Sequence, residues 1–426
     1  MPNRPRASAR ASQRTRADRI LNVTDGRRRA RRVLPPVVFD YIDGGADDEC
    51  TMQANEAAFA DLVFVPRMAV DTGVPQLATT VLGSPVSMPV LLAPCGLVRV
   101  IHPDAGPGVA RAAANQGTLC VLSTVAGSSL EDVVASSSGP LWFQLYASGG
   151  RSELEVLVDR ARAGAVRALV ITIDTPVLGN RERDVRHGVT PPLRVTTHNA
   201  VHLGPQVLSR PKWTLRMVRD GLKLAGAPRP DATVSADATA MTGSPFTWDD
   251  VEWLRASWSG SLVVKGLLTA DDARRAVQAG ADAVVVSNHG GRQLDGAPAT
   301  IRALPEVVSA VGGDAEVLMD GGVRRGGDVV KALALGARAV LVGRPYLYGL
   351  AVAGEAGVER VLDILRVEMA RTLALMGCAS VHELGPDSVQ MPSPGTPRRL
   401  TSTHRPSPAR SDSSGSFRRR RSAIGG

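Results

Sequence analysis

The chain has 426 residues, 44% of them apolar, and a formal charge of +9. That length suits one large domain or two ordinary ones, and no apolar run reaches the about eighteen residues of a membrane-spanning helix. Cys50, Cys95, Cys120 and Cys378 form no CxxC pair and have no histidine cluster beside them, which argues for reduced thiols in an intracellular, cytoplasmic protein and against a zinc or disulfide framework.

In chain order, residues 1–32 come first, with 11 Arg and 2 Asp. Poor in apolar side chains, they read as a disordered basic tail that cannot offset the entropy of ordering. No apolar stretch marks a secretory signal. The Arg- and Ser-rich composition is that of an organelle-targeting peptide without its apolar helical face. Residues 386–426 read as a second disordered tail, with 8 Arg and 1 Asp in 393–426. The tails carry +16 together, so the body is −7. "FRRRRS" near the end could touch nucleic acid or anionic lipid, but an acidic body makes nucleic acid an unexpected main partner.

Between the tails, 33–385 reads as one domain. "LPPVVFDYIDGGADDE" (34–49) predicts a short helix after a proline pair. From residue 88 a unit recurs: a short apolar run, then a stretch with helical spacing. The runs are 89–96, 119–124, 140–146, 168–174, 261–266, 283–287, 316–321 and 339–343. Continuous apolar runs alternating with helices imply parallel strands covered on both faces. Eight such units in roughly 250 residues predict an α/β fold, a TIM (β/α)₈ barrel, ahead of an open doubly wound sheet. "TADDARRAVQAG" (269–280) and "RRGGDVVKALALGA" (324–337) carry helix signals, each closing at a glycine. A long insert interrupts the series at about 181–260. Within it Trp213, Met217 and Leu224 share a helical face with Arg216, Arg219 and Lys223 nearby. This reads as an amphipathic helix on the barrel rim, or alternatively one lying on a membrane surface.

In such a barrel, function sits where strands end. The eight ends supply Pro94, Cys95 and Gly96; Ser123; Gln144 and Tyr146; Thr172 and Asp174; Lys265; Ser287, His289 and Arg292; Asp320, Gly321, Gly322 and Arg324; Gly343 and Arg344. Glycines and arginines after the last two runs make a phosphate site. Lys265 could form a Schiff base or hold electron density on a reduced ring. With Ser123, Gln144 and Thr172 as neutral partners for a heterocycle, the set favours FMN. His289 beside Asp174 has the make-up of an oriented base, and Arg292 that of a carboxylate clamp. These are the parts needed to oxidise an alcohol next to a carboxylate.

The signature "SNHGGRQLDG", with "QLY", "TIDTPVLGNRERD", "VKG", "MDGGVRRGGDVVKALALGA" and "VGRP" in that order, resembles the FMN-dependent α-hydroxy acid oxidase and dehydrogenase family over roughly 33–385. The resemblance implies that His289 is the base and Asp174 its partner. Arg292, helped by Tyr41, would bind the substrate carboxylate, with Arg181 as a second arginine near the substrate and Tyr146 on the substrate oxygen. It implies Lys265 at one ring edge, Ser123, Gln144, Thr172 and Pro94–Gly96 around the ring, and Asp320 at the ribityl chain. Gly322, Arg324, Gly343 and Arg344 would surround the phosphate. A small L-2-hydroxy acid substrate, an acceptor such as oxygen, a quinone or another carrier, a tetramer, and peripheral membrane contact through the insert are the further expectations. Val125 stands where some members carry Trp, so a bulkier substrate side chain is expected. A peptide-derived amine or heterocycle is the alternative substrate.

Overall fold

The computed structural model describes residues 4–146, 150–188, 197–225 and 246–391. Eight parallel strands close into a barrel: β1 (Val90–Leu92), β2 (Cys120–Ser123), β3 (Leu141–Leu145), β4 (Ala168–Thr172), β5 (Ser261–Leu267), β6 (Ala283–Val286), β7 (Glu316–Met319) and β8 (Ala339–Val342). They pair in chain order, and β8 returns to β1 with Val340 opposite Val90. All eight predicted runs are therefore strands. The C-terminal residues of several runs, such as Pro94 and Cys95, leave the ladder to line the mouth.

Strand side chains alternate, so each strand gives one set to the barrel interior and one to the helices outside. Leu91, Val121, Trp142, Val170, Val263, Val285, Leu318 and Leu341 fill the interior and are almost completely buried. A hairpin of Thr79–Val81 and Ser84–Val86 closes the bottom, where Val81 and Val86 join that interior cluster. The next inward position, two residues on from each filler, falls at the open end: Ala93, Ser123, Gln144, Thr172, Lys265, Ser287, Asp320 and Gly343. Below the mouth the interior is apolar; at the mouth it turns polar.

The two helices predicted by cap and stop residues form as Ala270–Gln278 and Gly326–Ala334. Thr269 caps the first by accepting from the Asp272 N–H. Gly280 and Gly336 then take left-handed φ of 90° and 98°. The proline-led helix runs over Pro36–Asp43 and a second follows over Cys50–Asp61. The insert is shorter than expected at its far end, because Trp248–Ser257, capped by Thr247, is the helix that leads back to β5. Its helix Pro211–Ala225 packs on the rim. The Trp213 indole N–H donates to the Val100 carbonyl at 3.1 Å, and Arg99 holds Asp220 at 2.9 Å. The side chain of Leu224 lies outside the described residues.

The expectation of a disordered tail over 1–32 is corrected. Helices span Arg4–Ala17 and Val23–Val33, and Ala17, Ile20, Val23, Gly26, Ala30 and Leu34 are buried at spacings of three and four. The second helix lies against Arg344–Ala353, where Gly26 brings it close to Tyr348. Its arginines are not all solvated either: Arg27 grips buried Asp43 through Nε at 2.5 Å and Nη2 at 2.7 Å. The C-terminal boundary moves as well. Val389–Gln390 pairs antiparallel with Val63–Phe64, so the barrel domain includes residues beyond 385, through at least 390. The rest of the second expected tail, 392–426, lies outside the described residues.

Candidate active site

The loop after β6 shows why "SNHGGRQ" has its composition. His289, Gly290 and Gly291 all adopt left-handed φ, 56°, 66° and 73°. A Cβ on Gly291 would sit 2.5 Å from the Met52 backbone nitrogen, so only glycine fits there. Asn288 anchors the turn from behind. It exchanges two amide hydrogen bonds with Asn55, at 2.8 and 2.9 Å, and accepts from the Gly291 N–H. Asn55 was not identified from sequence; its partner is 233 residues away.

The turn carries the His289 ring back over the barrel, where Nδ1 lies 2.9 Å from Asp174 Oδ1. Burial lowers the histidine's proton affinity, outweighing the attraction of Asp174. Burial alone would raise Asp174, but His289 and Lys265 bring it below its ordinary value. Asp174 is thus an anion and His289 a neutral ring. An anionic partner accepts from Nδ1–H, which leaves the Nε2 lone pair as the available base. Gly266, at φ 112°, makes the space for Asp174: a Cβ there would meet the Asp174 Cβ at 2.7 Å.

Lys265 is 3% exposed, with its ammonium 3.0 Å from Asp320 and 2.8 Å from the Ser287 hydroxyl. Burial opposes its charge, yet Asp320 and Asp174 hold its proton more tightly than usual. Ser123 donates to Gln144 Oε1 at 2.6 Å, and Gln144 Nε2 donates to the Leu145 carbonyl.

Three arginines close the other side. Arg292 Nη1 donates to the carbonyls of Tyr41 and Gly44 at 2.7 and 2.8 Å, and its guanidinium lies 5.1 Å from the Tyr41 ring centre. Among the described residues its Nε and Nη2 make no hydrogen bond, so one edge is available. Arg181 is pushed down to about 10 by burial and by Arg292, and stays charged at neutral pH. Arg344 is likewise lowered by burial to about 10, with its Nη groups on the carbonyls of Gly290 and Gly44. Arg324 turns partly outward to pair with Glu56 at 2.8 Å. Asp184, also missed from sequence although "GNRERD" contains it, is raised by burial and opposed by Arg292 and Arg181. Burial also raises Tyr146, as does Asp174.

These groups meet in one cleft. Tyr41, Pro94, Cys95, Gly96, Tyr146, Arg181, Lys265, His289, Arg292, Asp320, Gly321, Gly322, Arg324, Gly343 and Arg344 all line it, together with Val125. Asp174 and Ser287 stand one hydrogen bond behind, through His289 and Lys265. Ser123, Gln144 and Thr172 are buried at their strand ends. The sequence profile of a family described as FMN-dependent dehydrogenase matches residues 30–391.

The chain belongs to the FMN-dependent dehydrogenase family.

Within and around this family, the chain is 45% identical to an L-lactate oxidase of Nostoc sp. over 369 residues, covering 85% of this chain and 96% of that protein. It is 42% identical to a pre-mycofactocin synthase of Mycobacterium tuberculosis over 381 residues, 87% of this chain and 94% of that one. A crystal structure of the monotopic membrane protein (S)-mandelate dehydrogenase superposes with a TM-score of 0.81 at 39% identity, covering 88% of this chain and all of that one. The family's cofactor, FMN, is a fitting ligand for the cleft on physical grounds. Thr172 Oγ1, Asp174 Oδ2, Asp320 Oδ1 and Arg344 Nε are buried at the mouth without a partner among the described residues. Such polar atoms are costly unless a polar ligand meets them.

Proposed function

We propose that this FMN-dependent enzyme oxidises an L-2-hydroxy acid to the 2-oxo acid. The observation that carries the reading is the His289–Asp174 pair facing the same cleft as the open edge of Arg292. Lys265, Ser123, Gln144, Thr172 and the backbone of 94–96 would hold the FMN ring and Asp320 its ribityl chain. Gly321, Gly322, Arg324, Gly343 and Arg344 would hold the phosphate. When bound, FMN supplies the two-electron acceptor.

The chain's own groups do the rest. Arg292 and Arg181, with Tyr41, bind the substrate carboxylate and fix which carbon faces the base. Tyr146, kept protonated, donates to the substrate oxygen. His289 takes a proton at Nε2, and Asp174 stabilises the imidazolium that forms. The protonated Lys265 offsets negative charge that develops at the mouth.

Two cationic guanidiniums beside Tyr41 favour a small carboxylate over a peptide-derived amine or heterocycle, the alternative reading. Val125 on the cleft wall, shorter than the Trp that some family members carry there, supports a side chain larger than that of glycolate. Among the described residues no helix is long and apolar enough to cross a membrane. Peripheral contact is supported by exposed Leu208, Leu215 and Val218 on the insert, not by Trp213, which is turned inward. A tetramer is carried from the resemblance and a cytoplasmic location from the four free cysteines, and the basic ends are an accessory contact rather than the main role.

The test is anaerobic mixing of the holoenzyme with a panel of 2-hydroxy acids while flavin absorbance is followed, then admission of oxygen. One or more acids should bleach the flavin, and His289→Gln should slow bleaching by about a thousandfold or more while flavin stays bound. Bleaching by none of the acids, or at a near-normal rate in the variant, overturns the reading. The rate of reoxidation separates oxidase from dehydrogenase.

A further inference from the structure

A second basic pocket lies on the rim and shares no lining residue with the cleft. Three segments form it: the end of helix Arg4–Ala17, the turn at His102 that leads into helix Ala105–Asn115, and the insert helix Pro211–Ala225. Its volume is about 470 Å³.

Arg16, Lys212, Arg216 and Arg219 supply four cations, against two carboxylates. Of those two, Asp220 is already held by Arg99 through two bonds at 2.9 and 3.1 Å. Asp104 accepts from Gln13 at 3.4 Å and lies 3.6 Å from His102 Nδ1. Among the described residues neither Arg16 nor Arg216 has an ion pair. Arg16 Nε and Arg216 Nη1 are buried without a hydrogen-bond partner among the described residues. Like-charged, poorly hydrated guanidiniums placed together are unfavourable unless an anion joins them. Burial and the nearby Arg16 lower the proton affinity of Arg216, and the attraction of Asp104 offsets them only in part.

His102 adds a neutral donor. It is 4% exposed, and its Nδ1 accepts the Asp104 backbone N–H at 3.1 Å, which puts the ring proton on Nε2. Burial and Arg216 hold its proton affinity down to about 4, so it does not add to the repulsion.

We propose that this rim pocket binds a phosphate group, held between Arg16 and Arg216. A tetrahedral phosphate can accept from donors on several sides at once, whereas a single carboxylate would leave one guanidinium poorly served. The phosphate could belong to a soluble phosphate compound or to the headgroup of an anionic lipid. Leu215, half-exposed on the pocket wall, and Val218 one turn along are placed to enter a bilayer surface in the second case.

The experiment titrates holoenzyme saturated with FMN, so that the flavin site does not take up titrant, with inorganic phosphate at matched ionic strength in a calorimeter. Parallel sedimentation uses vesicles of phosphatidylglycerol and of phosphatidylcholine. Arg16→Gln and Arg216→Gln should each weaken phosphate binding at least tenfold without loss of flavin. As a second readout, either variant should unfold at a higher temperature than wild type in phosphate-free buffer, because one of two repelling charges is gone. Vesicle binding that needs phosphatidylglycerol, is lost in the same variants and is competed by phosphate assigns the source to lipid; phosphate binding without vesicle binding assigns it to a soluble compound. The proposal is overturned if wild type binds neither probe, or if both variants bind them as wild type does.

Discussion

His289 holds a backbone conformation that side chains with a Cβ rarely adopt, at a cost of about 1–3 kcal/mol. The strain places its ring against Asp174, and the pair's chemistry predicts two outcomes for Asp174→Asn. Turnover should drop by about a hundredfold or more, because the asparagine cannot stabilise the imidazolium. The acid limb of kcat/KM should also move. In wild type, activity needs neutral His289 and falls as pH drops through a value below the ordinary 6.5, since the folded ring is harder to protonate. Asp174 is what raises that value against burial, so its removal shifts the limb to still lower pH. A pH profile with the limb unmoved or shifted upward would contradict this account. Most residues of this site were legible in the sequence because each is a polar group placed at the end of an apolar strand, where a core has no use for it. Asn55 was not, since nothing local distinguishes it from any helical asparagine. Its role comes from a distant partner, Asn288, that only the closed barrel brings within 2.8 Å.

Elements that carry the site are held by close backbone contacts and by one buried carboxylate. Gly322, just past β7, has φ 80°, and a Cβ there would lie 2.2 Å from the Asn55 carbonyl oxygen in helix Cys50–Asp61. Gly322→Ala should therefore cost about 3 kcal/mol or more and loosen flavin, both measurable by thermal unfolding and flavin release. Asp43, 2% exposed, accepts from Arg27, Arg183 and Tyr348 and so ties helix Val23–Val33, the insert and helix Arg344–Ala353 to one point. Arg27→Met should cost only about 1–2 kcal/mol in chemical denaturation, because Arg27 is half-exposed and two partners remain on the carboxylate. The eight strands were readable because a strand buried on both faces is apolar throughout. Helix Val23–Val33 was not, because its buried stripe consists of small or single residues, Val23, Gly26 and Ala30, set among arginines. Mean composition hid a periodicity of three and four that the residues themselves carry.

For the whole molecule, the basic N-terminal segment is built into the barrel domain. It supplies Arg27 to Asp43, the Ile20 carbonyl to Arg360 at 3.1 Å, and apolar cover for Tyr348. Residues 392–426 follow in sequence after Val389–Gln390, the strand that pairs with Val63–Phe64. Deleting residues 2–33 exposes the buried face of Arg344–Ala353, the helix whose first turn carries Arg344 into the cleft. Burial of that face is worth several kcal/mol at about 25 cal/mol per Å². The deletion should lower the thermal midpoint by several degrees and weaken flavin retention. Deleting 392–426 removes seven of the nine net positive charges yet should leave the midpoint, the flavin content and the oxidation rate as they are. Its effect should appear only in salt-sensitive adsorption to polyanions, whose strength falls with the number of cations engaged. Equal loss of stability from both deletions would mean that the C-terminal segment also braces the barrel. No loss from the N-terminal deletion would mean that the Asp43 cluster and the packing around Gly26 contribute little.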